Sequence, residues 1–251
     1  MIIGIDVSAV PYGTGVSNYT LNLVRNLAKI DKINQYKLFF SSYGLKLPKE
    51  IKELEKYKNF KIYSYRYPLD LLEKIWHTFR LFPIENFIGK CDIFHTSDWT
   101  QPPTCKAKTI TTVHDLVPFL HPEWSDPKII KVHHRKLKLA IKYCRQFICV
   151  SHKTKEDLIS VFPKINSQKI SVIYEAAEDK FSKFSENRKN IIEKQYDLKK
   201  YFLTQGTREP RKNLKRIIEA FILYKQKNPT SLYELAISGK YGWGSDILKY
   251  K

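Results

Sequence analysis

Residues 205–214 read QGTREPRKNL, set between an apolar run at 201–205 and a stretch whose Leu214, Ile217, Ile218 and Phe221 recur at helical spacing. The run predicts a buried strand and the spacing an amphipathic helix, so the segment joins a strand end to a helix start. Arg208, Arg211, Lys212, Lys215 and Arg216 crowd that start. Cations at a helix N-terminus oppose the macrodipole, at a cost of roughly 0.3–1 kcal/mol each, and a purely structural helix favours acids there. The arrangement makes sense if a phosphate or diphosphate sits on the free N–H groups and neutralises the cluster. The alternative is a solvated basic turn in a lysine-rich chain.

Working outward, the same alternation runs along the whole chain. Short β-rich runs at 2–7, 36–41, 60–64, 92–95, 109–113, 146–150, 169–173, 201–205 and 233–238 are separated by helical stretches. The helical stretches fall at 16–30, 48–57, 69–82, 126–144, 153–161 and 214–227. This order predicts an α/β fold of parallel sheets with right-handed crossovers. The polar, uneven segment 175–190 reads as a linker. It divides the chain into a first doubly wound domain, 1–180, and the first part of a second Rossmann-like domain, 181–251.

Composition sets the outer bounds. A hydrophobic content of 43% over 251 residues supports a real core and excludes global disorder. Cys91, Cys105, Cys144 and Cys149 form no CxxC pair and read as reduced thiols of a cytosolic protein. No segment approaches the roughly 20 apolar residues that span a bilayer. The opening MIIGIDVSAV lacks a basic n-region and reads as a first strand rather than a signal peptide. A cytoplasmic location is the expectation.

The net charge of +19 accompanies abundant Lys, Ile, Asn and Tyr, as an AT-rich coding bias would produce without selection for binding. Residues 128–145 nevertheless carry seven Lys or Arg and no acid, interleaved with Ile129, Ile130, Leu137, Ile141 and Cys144. A basic amphipathic helix of this kind suits an anionic membrane surface or nucleic acid. His133 and His134 inside it read as surface residues.

Polar and glycine-rich segments fall after the strands, where open α/β sheets bind ligands. Gly13 and Gly15 in YGTGVSNY (12–19) follow the first run. The nicotinamide fingerprint fails there: Asn18 stands where the third glycine belongs, and the second strand ends on Phe40, Ser41 and Ser42 without an acid. A phosphate- or sugar-approaching turn and a plain tight turn both remain. Asp98 and Trp99 follow the fourth run, and His114 and Asp115 the fifth. A histidine so placed can donate to a substrate hydroxyl or stabilise charge at a reacting carbon, or be satisfied by local backbone. No cluster has zinc-ligand spacing, and neither a GxSxG elbow nor a Walker loop is present. Facing strand ends of two domains would form a cleft suited to a ligand.

Taken together, YGTGVSNY (12–19), TVHDLVPFLHPEW (112–124), VSHKTKEDL (150–158), VIYEAAED (172–179) and GTREPRKNL (206–214) resemble glycosyltransferase family 4. These are retaining, nucleotide-sugar-dependent enzymes of GT-B fold. The order and spacing fit along nearly the whole chain; GTREPRKNL is the more specific segment and the glycine turn the weaker. The HDLVPF wording looks most like the mannosyltransferase branch, which implies GDP-mannose as donor. The resemblance implies that Gly13 and Gly15 approach the donor phosphates and the acceptor. Lys212, with Arg208 or Arg211 and the preceding Gly206, would bind the diphosphate. His114, with Asp115 beside it, would serve the transferred sugar, and Asp98 and Trp99 the acceptor side. It implies no metal and no cofactor, with basic residues neutralising the leaving nucleotide.

One departure stands out. The family's second domain carries two glutamates eight positions apart that hold the nucleotide ribose, whereas the acids after Lys212 are Glu219, Glu234 and Asp246. The second sheet reads as cut short, leaving Leu203, Phe221, Leu235 and Ile237 with little cover. The expectation is a fragment of a hexosyltransferase of polysaccharide biosynthesis, weak or inactive alone, acting on a glycan or lipid-linked acceptor and touching an anionic membrane peripherally. The competing expectations are a noncatalytic basic α/β module that binds nucleic acid, and an inactive remnant.

Overall fold

The computed structural model describes residues 1–178, 181, 186–197 and 200–242. The chain forms two compact units, the first comprising Met1–Pro122 and Pro127–Ala176, the second Glu123–Asp126 and the chain from Ala177 onward. In the first unit β1 (Ile2–Asp6), α1 (Gly15–Ile30), β2 (Gln35–Ser41), α2 (Lys49–Lys52) and β3 (Phe60–Tyr65) come first. They are followed by α3 (Leu69–Glu73), α4 (Glu85–Ile88), β4 (Ile93–Thr96), β5 (Lys108–Val113), α5 (Val117–Leu120) and α6 (Pro127–Tyr143). The unit closes with β6 (Gln146–Cys149), α7 (His152–Val161) and β7 (Ile170–Val172).

The strands of this unit form one parallel sheet in the order β3-β2-β1-β4-β5-β6-β7. The chain winds outward from β1 to β3, returns to place β4 against the free side of β1, and winds outward again. The switch point therefore lies between β1 and β4, where Ile3 pairs with Ile93 and Ile5 with His95.

Apolar residues cover both faces of the sheet, as a doubly wound sheet requires. On β2, Tyr36, Leu38 and Phe40 pack with Val24 and Ala28 of α1. The intervening Phe39 packs on the other face with Trp76, Ile88 and Phe94. Beyond β5, Val113, Leu137, Phe147, Cys149 and Leu158 form a further cluster. Gly4 has a packing reason: a Cβ there would lie 2.6 Å from the Phe94 ring and 2.7 Å from Ile88 Cδ1. α1 starts with a reciprocal cap in which Thr14 Oγ1 accepts from Ser17 N–H and Ser17 Oγ accepts from Thr14 N–H.

The second unit contributes α8 (Glu186–Gln195), β8 (Lys200–Gln205), α9 (Leu214–Lys227) and β9 (Tyr233–Ser238), with β8 and β9 paired in parallel. Phe202 meets Phe221, Tyr224 and Tyr233 on the α9 side. Phe221, Leu235 and Ile237 are half-buried, while Leu203 is 61% exposed.

Three sequence expectations are corrected. The helix expected at 48–57 divides into α2 and a 3-10 turn, Glu53–Lys56. The helix expected at 69–82 ends in a π-turn, Lys74–Phe79, because Arg80 and Phe82 adopt left-handed backbone and Trp76 Nε1, fully buried, donates to the Phe82 carbonyl. The linker expected at 175–190 gives way to α8 from Glu186. That helix lacks a coherent apolar face, so hydrophobic periodicity does not announce it. Among the described residues no helix is long and apolar enough to cross a membrane.

Candidate functional site

At the switch point a shallow recess is lined by Asp6 from β1, Val16, Tyr19 and Thr20 from α1, His95 to Asp98 at the end of β4, and Thr112 and His114 at the end of β5. Parallel pairing of β1, β4 and β5 carries these carboxyl ends to one edge, where doubly wound sheets bind ligands. The Asp6 carboxylate accepts from Ser8 N–H (2.9 Å) and Thr100 Oγ1 (3.1 Å). Burial pushes its pKa up against those hydrogen bonds.

Deeper in the recess, the Thr112 hydroxyl lies 3.0 Å from the Tyr19 hydroxyl and 2.9 Å from His95 Nε2. Desolvation, reinforced by Lys136 and His114, lowers the His95 pKa to about 4, so its imidazole is neutral at neutral pH. Burial likewise raises the Tyr19 phenol. Tyr19 presents its ring edge-on to His114, with centroids 4.8 Å apart and planes at 83°. His114 Nδ1 lies 3.1 Å from Glu175 Oε1, and the His114 carbonyl accepts from Thr154 Oγ1.

The expected residues of this unit separate into two groups. His114 and Asp98 line the recess; Asp98 also lies 3.6 Å from His133 Nε2. Gly13 closes a 3-10 turn with φ 64°, and Gly15 opens α1 with no atom within 4 Å of where its Cβ would stand. The turn thus leaves open space above the start of α1. Asp115 is not brought into the recess: exposed at the strand end, it accepts from Val117 N–H and starts α5. Trp99 turns to His133, ring centroids 6.0 Å apart. Its buried Nε1 has no partner among the described residues.

His133 and His134 are not surface residues as expected. Both are half-buried, and His134 stacks on Phe119 at 4.0 Å with Nε2 placed 2.9 Å from the Pro118 carbonyl. The basic helix is also less free than its charge count suggests. Lys136 is buried and donates to Thr111 Oγ1, Lys128 pairs with Asp70, and Arg135 pairs with Glu73. A count of charges over 128–145 does not distinguish the helix face that each one occupies.

The second unit has its own shallow recess at the carboxyl ends of β8 and β9, lined by Gly206, Thr207, Arg208, Lys212 and Ser238 among others. Gly206 and Gly239 take φ of 149° and 145°, and a Cβ on Gly239 would fall 1.9 Å from the Gly206 carbonyl oxygen. Only glycine lets these two strand ends touch. Lys212 runs along Gly206, with Cε 3.4 Å from where a Cβ would be. The Arg208 guanidinium lies 4.4 Å over the Tyr241 ring. Arg211, expected to share the site, instead pairs with Glu209 at 2.8 Å and does not line the recess.

Between strand and helix stands a 3-10 turn, Pro210–Lys212, and Asn213 enters α9 in left-handed conformation without a side-chain cap. Asp179, Gly244, Asp246 and the residues beyond lie outside the described residues. Among the described residues no three His, Cys, Asp or Glu are placed to hold a metal ion.

Fold and recesses together define a GT-B-type α/β protein, and comparison with known proteins agrees. Against Anabaena HepE solved with UDP-glucose the chain superposes with a TM-score of 0.61 at 13% identity, covering 99% of this chain and 64% of that one. Against the apo form of the lipopolysaccharide outer core galactosyltransferase WaaB the TM-score is 0.50 at 16% identity, covering 95% and 61%. O-antigen chain mannosyltransferase B of Escherichia coli is 24% identical over 241 residues, covering 94% of this chain and 63% of the relative.

The family model for Glycosyltransferase Family 4 matches residues 13–179. The chain belongs to glycosyltransferase family 4. It spans about 63% of the length of the mannosyltransferase it resembles. The matched span includes the switch-point recess except Ile5 and Asp6; the GTREPRKNL segment lies outside it.

Proposed function

We propose that this chain serves a retaining transfer of a hexose, mannose by preference, from a nucleotide sugar to a glycan or lipid-linked acceptor. The observation that carries the reading is the switch-point recess of a family 4 domain, with His114 at its rim and a deep neutral His95. Lys212 and Arg208 are assigned the donor diphosphate, since both cations line the recess at the glycine-bearing strand ends of the second unit. Gly13 and Gly15 are assigned close approach to phosphate and acceptor, and His114 the transferred sugar. Asp98 is assigned the acceptor side, with Trp99 behind it through His133. The exposed Lys131, Lys138 and Lys142 of α6 are assigned contact with an anionic membrane surface.

HepE was solved with UDP and with UDP-glucose, which supports a nucleotide-sugar donor class here. The mannosyltransferase relative supports mannose, hence GDP-mannose, over other hexoses. Equilibrium dialysis of the chain against labelled GDP-mannose, UDP-glucose and UDP-galactose tests the reading. At least one donor should be retained. Lys212→Ala should weaken it by about tenfold, the worth of a charge-assisted hydrogen bond, while Lys138→Ala leaves it unchanged. Failure to retain any donor at millimolar concentration, or equal effects of the two substitutions, would overturn it.

A further inference from the structure

His114 is held from two sides. Tyr19 meets the ring edge-on, and Tyr19 is itself fixed through Thr112 to the buried His95. Glu175, 61 residues further along the chain, stands 3.1 Å from Nδ1. An ionised carboxylate can only accept, so the proton of this contact belongs to His114 Nδ1. A neutral imidazole carries one N–H, and a hydrogen bond at one nitrogen decides the state of the other. Turning the ring over would replace Nδ1 by a carbon and lose the Glu175 bond.

We propose that Glu175 is a positioning residue that fixes His114 in its Nδ1–H tautomer, leaving Nε2 to accept a hydrogen bond from a hydroxyl of the bound sugar. His114 then selects for a hydroxyl-bearing substrate. An Nε2–H imidazole would instead seek an acceptor such as a ring oxygen. Glu175 lies just past β7 with its side chain 48% exposed, so the pair contributes orientation more than stability. A second-sphere carboxylate commonly orients a working imidazole in this way. What Nε2 meets rests on the sugar-transfer reading; the tautomer does not.

Long-range proton–nitrogen NMR on the 15N-labelled chain at pH 8 reads the tautomer directly, with His114→Asn identifying the ring signals. Nδ1 should appear protonated and Nε2 bare. Glu175→Gln, whose amide oxygen still accepts, should keep that pattern, and Glu175→Ala should move the proton to Nε2. A wild-type ring protonated at Nε2, or a Glu175→Ala ring unchanged from wild type, would overturn the assignment. The wild-type spectrum decides even if a variant fails to fold. Adding a donor that dialysis shows to bind should shift the Nε2 signal; binding that leaves it unmoved would refute the hydroxyl contact. Since the first reading needs no sugar nucleotide, absence of donor binding leaves the tautomer result standing.

Discussion

A neutral histidine inside the recess has a consequence for stability. His95 titrates near 6.5 when exposed and at about 4 in the fold, chiefly through desolvation. Between those values the unfolded chain binds the extra proton, so stability rises with pH there. The contribution is fully present above pH 6.5 and is lost as pH falls through that window, at up to about 1.4 kcal/mol per pH unit. His77, pushed down to about 4 by burial and by Lys136, Arg80 and Arg135, acts in the same direction. The raised Asp6 acts in the opposite direction. Urea unfolding of wild type and His95→Gln at pH 6.5, 5.5 and 4.5 separates the terms. The variant should show a shallower pH slope by about one proton; parallel curves would mean that His95 is not buried neutral. At this scale the site was half legible. His114 is legible because it directly follows a strand-like run, and Lys212 because it belongs to a basic cluster at a helix start. Asp6, Tyr19 and His95 join His114 only because β1 lies between β2 and β4, an adjacency that no local pattern encodes. Nor could residue types tell which neighbouring cation turns to Glu209; Arg211 does.

At the scale of elements, α6 carries the sharpest lesson. Its length is legible to within a residue or so at each end, but its charge is less exposed than a count of basic residues predicts. Val132, Lys136 and Ala140 recur every fourth residue and share one face, and Leu137 widens it, so Lys136 points into the core. Burial lowers its pKa, and its ammonium donates 2.6 Å to Thr111 Oγ1. No ion pair to Lys136 occurs among the described residues. A buried ammonium held by one hydroxyl is a cost that an apolar chain of similar length avoids. Lys136→Met should therefore keep the fold and raise stability by about 1 kcal/mol, read as a higher urea midpoint at unchanged slope. A lowered midpoint would show that the ammonium holds the helix to β5 more strongly than its desolvation opposes. The π-turn after α3 was illegible for a different reason. Its apolar spacing is helical, and only tertiary burial of Trp76 widens the turn.

At the scale of the whole molecule, alternating apolar runs make the parallel α/β order legible, because the central strands of the first sheet bury apolar residues on both faces. The second unit follows the same order with far less burial. Its buried apolar core among the described residues is Leu214, whereas Phe202, Leu203, Ile222 and Leu223 are 46%, 61%, 41% and 57% exposed. The expectation of thin cover at Leu203 holds, while Phe221, Leu235 and Ile237 are half-buried, Phe221 against Phe202 and Tyr224. The two paired strands and two helices described in this unit bury too little apolar surface to resist opening by themselves. Hydrogen exchange should therefore separate the units. Amides of β1, β4 and β5 should exchange only through global unfolding, and those of β8 and β9 faster by on the order of a hundredfold or more, the signature of a locally less stable unit. Donor binding at Arg208 and Lys212 should slow the β8 amides, since a ligand that binds only the closed form stabilises it. If β8 already exchanges as slowly as β5 in the free chain, its open face is covered in solution, and the exposure of Leu203 does not describe the working molecule.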